Sequence, residues 1–404
     1  MSMFPGLQSA WSAFIDSPLV LLASLFLLAP SLAFLLARLL RVSRFCTLVM
    51  TGAMLGLAGS NIEGLRLQQS LVPWLQAITV VLLFEVGQRV SFGWLRRNPA
   101  LLMTSLAEFA VGVAVLAWLM VTLTDVRLLN ALIISALCAS SSPVVVLAVS
   151  KSLRTRGQVT ERAILMSTLS TVLAVLLLQA CLTAAALTAS ADLGLVLAPL
   201  QQLSGAFLLG LAGAALLLGI VRATRVRGAA QSMVVVAACV MLYAVSQLFG
   251  ISPLLAALLF GLMTRALDRQ HQVTNFEFSE LGLLLAIAFF VLTGVTLDWP
   301  TSTGVLAIGV LLVLVRLAIK AGVQGGLAHF GALAPRRGLL VGLAMAPLSG
   351  LSLLLAVDAR ISHPSLQVDS TVLMVVILIT AVIGPLLTEV AFRLAHETTV
   401  SEPT

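Results

Sequence analysis

The chain has 404 residues, of which 60% are hydrophobic and 10% charged, and its formal net charge is +7. So little polar surface excludes a water-soluble fold of this length, and most of the chain must face lipid or other apolar helices. The basic residues lie scattered in short connections between apolar stretches, which excludes a nucleic-acid-binding face and makes them a topology signal.

In chain order the apolar stretches cover 18–40, 44–60, 71–90, 99–123, 128–150, 161–187, 195–221, 229–250, 251–267, 280–297, 303–330, 337–358 and 371–394. Each can cross the ~30 Å hydrocarbon core of a bilayer, so the expectation is an all-α membrane protein of about thirteen transmembrane helices. The first stretch is long and lacks a positively charged leader, and it is expected to stay as a helix. Gly250-Ile251-Ser252-Pro253 either kinks one long helix or separates two. With thirteen spans, eighteen of the 23 basic residues flank one side and three (Arg66, Arg127 and Arg360) flank the other, while Arg316 and Lys320 lie within a span. Merging the helices at Gly250 would scramble that partition. The charges therefore favour two helices there, with the amino terminus outside and the carboxyl terminus cytoplasmic. This makes 1–395 one transmembrane domain, followed by a short cytoplasmic tail at 396–404. Cys46, Cys138, Cys181 and Cys239 fall in apolar stretches without pairing or metal-ligand spacing and read as small buried hydrophobes. There is no Walker A sequence, His/Cys cluster or nucleophile elbow, so neither an enzyme nor a cofactor is expected.

Two spans carry helix-breaking chemistry near mid-membrane. The fifth contains Ser140-Ser141-Ser142-Pro143, and the twelfth contains Ala346-Pro347-Leu348-Ser349-Gly350. Proline removes a backbone donor and clashes with the preceding turn, while serines can rebond the freed groups. Either break alone reads equally well as an ordinary proline kink. The spans are seven apart, however, and so run in opposite directions. Interrupted helices at matching places in two inverted halves point to a transport site at the midplane.

Around these breaks, from about Leu71 to Ala391, the chain resembles the bacterial monovalent cation–proton antiporters. Val81-Leu82-Leu83-Phe84-Glu85-Val86-Gly87 looks like their LLFxxGLE segment, and Ser141-Ser142-Pro143-Val144-Val145 like their TSPAVV signature. Phe289-Phe290-Val291 through Leu297-Asp298 is similar to FFVxxGxxLD, and Leu339 through Pro347 to the second interrupted helix. The resemblance implies the sodium–proton antiporter fold: an inverted repeat with two interrupted helices that cross. It also implies a dimerisation part, here 18–90 and 229–297, and a core part, 99–187 and 303–394. By analogy the protein is a homodimer in the bacterial inner membrane, with a monovalent cation and the proton as substrates.

In that family an aspartate on the sixth span exchanges cation for proton, often with a lysine on the eleventh span as its partner. Lys320 matches the lysine, but Ser170-Thr171 stands where the acidic dipeptide is expected, and a hydroxyl does not titrate near neutral pH. Gln88-Arg89 and Leu348-Ser349-Gly350 depart from the pattern as well. Of the remaining intramembrane charges, Lys320 lies about 12–15 Å deep. Arg316 lies one turn deeper on the same helix face, and Glu108 reaches a similar depth on the fourth span. A lone buried charge is costly, so Glu108 is expected to pair with Lys320 or Arg316. Such a pair either pins two helices together or titrates as the carrier. Ser167, Thr168, Ser170 and Thr171 either back-bond to their own helix or coordinate a cation. Glu85, four residues before Arg89, reads as half of a helix-end ion pair. Three functions remain open: a cation–proton antiporter with Glu108 and Lys320 replacing the aspartate, a carrier of another solute such as an organic anion held by Arg316 and Lys320, or a transport-inactive scaffold or sensor.

Overall fold

In hydrocarbon every backbone polar group needs a partner from within the protein, which leaves helices as the open-ended solution for an apolar chain. The computed structural model describes residues 18–40, 67–89, 98–124, 126–189, 193–268, 303–348 and 370–398, with short pieces at 47–48, 50–52, 54–55, 287–288, 291–292, 352 and 355–356. Among the described residues there are helices and turns and no strand. The helices are α1 (Pro18–Leu40), α2 (Leu67–Arg89), α3 (Pro99–Leu123), α4 (Leu128–Ala139), α5 (Pro143–Ser152), α6 (Gln158–Ala189), α7 (Leu193–Thr224), α8 (Ala229–Leu248), α9 (Pro253–Leu267), α10 (Thr303–Gly326), α11 (Pro335–Ala344) and α12 (Ser370–Leu394). A 3-10 turn, Ala328–Gly331, joins α10 to α11.

Proline sets several of these boundaries. α3, α5, α9 and α11 each begin on a proline, whose fixed φ suits the first turn and whose missing N–H would have no partner there anyway. The expected separation near Gly250 is present: α8 ends at Leu248, Gly250 adopts φ +63°, and α9 starts at Pro253. Gln202 fastens this joint by donating to the Gly250 carbonyl at 2.6 Å and accepting from the Ser252 N–H at 2.8 Å. Eleven of the thirteen expected spans have a described helix at their position. The other two, 44–60 and 280–297, fall mostly outside the described residues, as do most of the FFVxxGxxLD-like segment and Cys46. Cys138, Cys181 and Cys239 are free and buried, as their apolar settings imply.

Packing sorts the helices into two groups. α2, α7, α8 and α9 pack chiefly on one another, and α3 to α6 pack with α10, α11 and α12. The interrupted pair spanning Leu128–Ser152 is 94% buried, against 28% for α8 and for α10, so the broken helix runs through the middle of the second group. Close approaches are made over glycine. In α2 a side chain at Gly87 would come within 2.6 Å of the Leu258 carbonyl of α9, and one at Gly261 of α9 would overlap the Phe84 carbonyl. The two helices therefore touch backbone to backbone, in the small-residue manner of membrane interfaces.

Beyond α12 the chain turns back onto the start of α6. The Glu397 carboxylate accepts from the backbone N–H groups of Val159 and Thr160 and from the Thr160 hydroxyl, all at 2.9 Å. Two of these donors, the Val159 and Thr160 N–H groups, are among those that open a helix without an intrahelical partner, and a carboxylate there also complements the helix dipole. The Arg156 N–H donates to the Glu397 carbonyl at 3.0 Å, and any side chain at Gly157 would overlap the carboxylate.

Gly261→Val should lower the detergent melting temperature by the equivalent of about 1–3 kcal/mol, because Phe84 backbone blocks the added carbons. Gly322→Ala on α10 meets nothing within 4 Å, so it should hold or raise stability by up to ~1 kcal/mol. Thermal unfolding of the two purified variants checks both signs.

Candidate functional site

The two helix breaks meet. Ser140, Ser141 and Ser142 separate α4 from α5, and Met345 to Leu348 follow α11. The Ser142 N–H donates to the Pro347 carbonyl at 2.8 Å, and the Ser141 hydroxyl to the Met345 carbonyl at 2.8 Å. Ser140 and Ser352 share a hydroxyl–hydroxyl bond at 3.0 Å. Ser142 also caps α5 by accepting from the Val145 N–H at 3.3 Å, with Pro143 in the first helical position. The expected interrupted-helix residues Ser141, Ser142, Pro143 and Pro347 are thus all at the crossing. Ser349 and Gly350 lie outside the described residues. Room for Pro347 comes from Gly384 of α12, where a side chain would come within 2.6 Å of the Pro347 Cα.

α4 and α11 both end at this crossing, so the carbonyls that their last turns leave unsatisfied converge there. Arg316 of α10 answers them. Its Nε donates to the Cys138 carbonyl at 2.6 Å, Nη2 to Ser140 at 2.6 Å, and Nη1 to Ala346 at 2.5 Å. Nη2 has longer contacts, at 3.5 Å, to the Met345 and Pro347 carbonyls. A guanidinium at the negative ends of two helix dipoles is favourable electrostatically and satisfies the backbone geometrically. Arg316 is 1% exposed, yet it is held by carbonyls alone and has no carboxylate partner among the described residues.

One turn along α10, Lys320 Nζ lies 2.6 Å from Glu108 Oε1 of α3, and both side chains are 1% exposed. Of the two expected pairings for Glu108, the lysine is the one formed. The other carboxylate oxygen, Oε2, has no hydrogen-bond partner among the described residues, and neither has the Ser105 hydroxyl one turn earlier. Glycines keep α11 against this stretch of α10: side chains at Gly338 and Gly342 would overlap the Gln324 and Lys320 carbonyls. The pair is therefore held on a backbone-to-backbone seam that leads straight to the crossing.

The α6 hydroxyls all donate to carbonyls, some of their own helix and some of the first break. Ser167 and Thr168 donate to the Ile164 carbonyl at 2.9 and 2.8 Å, which is back-bonding to their own helix. Thr171 donates to Ser141 across the break at 2.8 Å and to Ser167 at 3.0 Å, and Ser170 reaches the Ala139 carbonyl at 3.4 Å. Ser170 and Thr171 thus tie α6 to the first break. Glu85, expected in a helix-end pair, is buried at 5% exposure. It lies inward because α2 packs on α9 through that turn. Glu389, near the end of α12, accepts from Arg393 at 2.9 Å on an exposed face.

The sequence matches the family model for the transmembrane sodium/hydrogen exchanger over residues 22–393. The chain belongs to that family. Among solved structures, its fold is similar to that of the sodium proton antiporter MjNhaP1 from Methanocaldococcus jannaschii. The TM-score is 0.64 at 17% identity, over 94% of this chain and 96% of that one. No curated protein matches the sequence. Within this exchanger fold, sequence reasoning located the crossing and a buried partner for Glu108, either Lys320 or Arg316, but missed what Arg316 does. The signal available was an arginine four residues before the matched lysine, on the same face of a helix and too deep to reach water.

Arg316→Leu should cost on the order of 3–5 kcal/mol, since it strands buried carbonyls at two helix ends. Arg316→Lys should recover only part of the loss, because an ammonium lacks the planar fork that reaches Cys138, Ser140 and Ala346 together. Equal melting temperatures for wild type and Arg316→Leu would remove the guanidinium from this role.

Proposed function

We propose that this exchanger-family chain is a monovalent cation–proton antiporter, moving sodium or potassium against protons, and that Glu108 and Lys320 replace the missing sixth-helix aspartate as its titrating centre. The single observation behind this is a fully buried ion pair with one carboxylate oxygen left over, one turn from the crossing of two broken helices. Buried intramembrane charges at such a place are costly unless they work. The exchange follows from charge conservation. A cation arriving at Glu108 takes over neutralisation of the carboxylate, and Lys320 releases a proton; when the proton returns, the cation leaves. The site then keeps the same net charge in both states. Thr168, Ser170 and Thr171 donate their protons to carbonyls, which leaves oxygen lone pairs available to a partly dehydrated cation.

In this reading the protein sits in the bacterial inner membrane with its amino terminus outside and carboxyl terminus cytoplasmic. Residues 18–90 and 229–297 form a dimerisation part of a homodimer, and 99–187 with 303–394 form the core that moves against it. The separate packing of α2, α7, α8 and α9 supports that division. An organic-anion carrier would need open positive charge at the crossing. Arg316 is instead directed at carbonyls and Lys320 at Glu108, so that reading loses its binding groups. A transport-inactive scaffold is the competing outcome, favoured by the tight bonding of Thr171 to Ser141 and Ser167.

In proteoliposomes with an entrapped pH dye, sodium or potassium pulses should drive proton movement that Lys320→Gln reduces about tenfold or more, equivalent to ~1.4 kcal/mol in the barrier. Unchanged flux in a less stable Lys320→Gln protein would leave the pair as a structural pin. Separately, Thr171→Asp places a carboxylate against the Ser141 and Ser167 carbonyls, an arrangement that is repulsive unless a proton or cation bridges it. That variant should gain pH-dependent cation exchange above wild type. A folded Thr171→Asp protein with no cation response, together with an inert wild type, would favour the scaffold.

A further inference from the structure

A small cavity lies inside the second helix group, one turn from the ion pair. Its walls include Leu101 and Thr104 of α3, Arg162 and Met166 of α6, Gln324 of α10 and Gly338 of α11, and it offers about 10 Å³ to a water-sized sphere. That is room for about one water. The polar walls flank the pair on both helices: Gln324 is four residues from Lys320, and Thr104 four residues from Glu108, each about one turn or ~5.4 Å along its helix. Gln324 is 3% exposed and its Nε2 has no hydrogen-bond partner among the described residues. Thr104 gives its proton to the Ala100 carbonyl at 2.7 Å, so its oxygen is left as an acceptor in the same cavity wall as the Gln324 donor. On α3, between Thr104 and the pair, Ser105 Oγ and Glu108 Oε2 are unpartnered among the described residues as well. Also in the wall, Arg162 is partly exposed, and its Nη2 donates to the carbonyl of another lining residue, Gly331, at 2.6 Å.

We propose that this cavity is a water-binding site that passes protons between the aqueous face at Arg162 and the Glu108–Lys320 pair, with Gln324 and Thr104 as its inner ligands. The bound water accepts from Gln324 Nε2 and donates to Thr104 Oγ1. In each transfer it takes one proton from the Arg162 side and releases another toward Ser105 and Glu108, so the water itself is unchanged. The relay half of the proposal rests on the pair being the titrating centre, but the water site does not. This route runs within one helix group, among α3, α6, α10 and α11, and needs no gap between the two groups.

Met166 makes the water site measurable. It is 2% exposed but lines the cavity, whereas Met120 is 1% exposed and lies outside it. Millisecond radiolysis generates hydroxyl radicals from water in place, and thioethers beside that water become sulfoxides. In the full-length protein in lipid nanodiscs, Met166 should oxidise about fivefold faster than Met120, and Gln324→Leu should bring it down to the Met120 rate. Equal wild-type rates would overturn the water site. Gln324→Leu should also lower cation-driven proton flux about tenfold, with Gln324→Asn restoring part of it. Normal flux in Gln324→Leu, with Met166 protected, would overturn the relay. The effect of Lys320→Gln on flux judges the titrating pair by itself, and Met166 oxidation judges the water site whatever that result.

Discussion

Breaking two helices inside a membrane leaves carbonyls that neither solvent nor the next turn can satisfy, and the rest of this architecture depends on how that debt is met. Arg316 supplies donors to Cys138, Ser140 and Ala346 from a third helix, α10, and the serines at the first break supply the remainder. The guanidinium brings charge as well as geometry. The carboxyl ends of α4 and α11 both point at it, so one cation offsets two helix dipoles. Because those partners are neutral, Arg316 needs no acid, which leaves the buried carboxylate of Glu108 to Lys320.

The arrangement makes α10 the organising helix of the site although most of its surface faces outward. Arg316, Lys320 and Gln324 recur every fourth residue and form one buried stripe, while the span as a whole is only 28% buried. The stripe is narrow because α11 rides directly on the α10 backbone over Gly338 and Gly342. Movement of α11 relative to α10 would therefore be felt at Lys320 and at the crossing together. Close packing over glycine transmits displacement well, since there are no long side chains to absorb it.

How much of this was legible in the sequence varied with the kind of interaction involved. Prolines and serines announced the crossing, because their effect on the backbone is local and holds in any fold. The division at Gly250 followed from charge placement, a property of whole loops. Depth required Glu108 to find a cation in hydrocarbon but left Lys320 and Arg316 both open, and the choice of Lys320 came from Arg316 being taken up by carbonyls. Arg316 was visible as a charge but not as a clamp, because its partners are backbone carbonyls and carbonyls carry no letter in a sequence. Gly338 and Gly342 escaped for a related reason: a glycine is informative only when the atoms opposite are known. For Glu85 the sequence showed a nearby Arg89 but not its burial, which comes from tertiary packing of α2 on α9.

The return of the chain onto α6 carries a consequence for sequence change. Glu397 fills the space beside Gly157 so closely that any side chain at 157 would collide with its carboxylate. The two positions sit far apart in the chain yet behave as one character. A larger residue at 157 must push the Glu397 carboxylate off Val159 and Thr160, and a shortened 397 likewise leaves them without their acceptor until another group arrives. Divergence here is thus expected to proceed by paired replacement, with Gly157 and Glu397 inherited together or lost together, and the start of the helix that carries Ser170 and Thr171 is tied to the fate of the chain beyond α12.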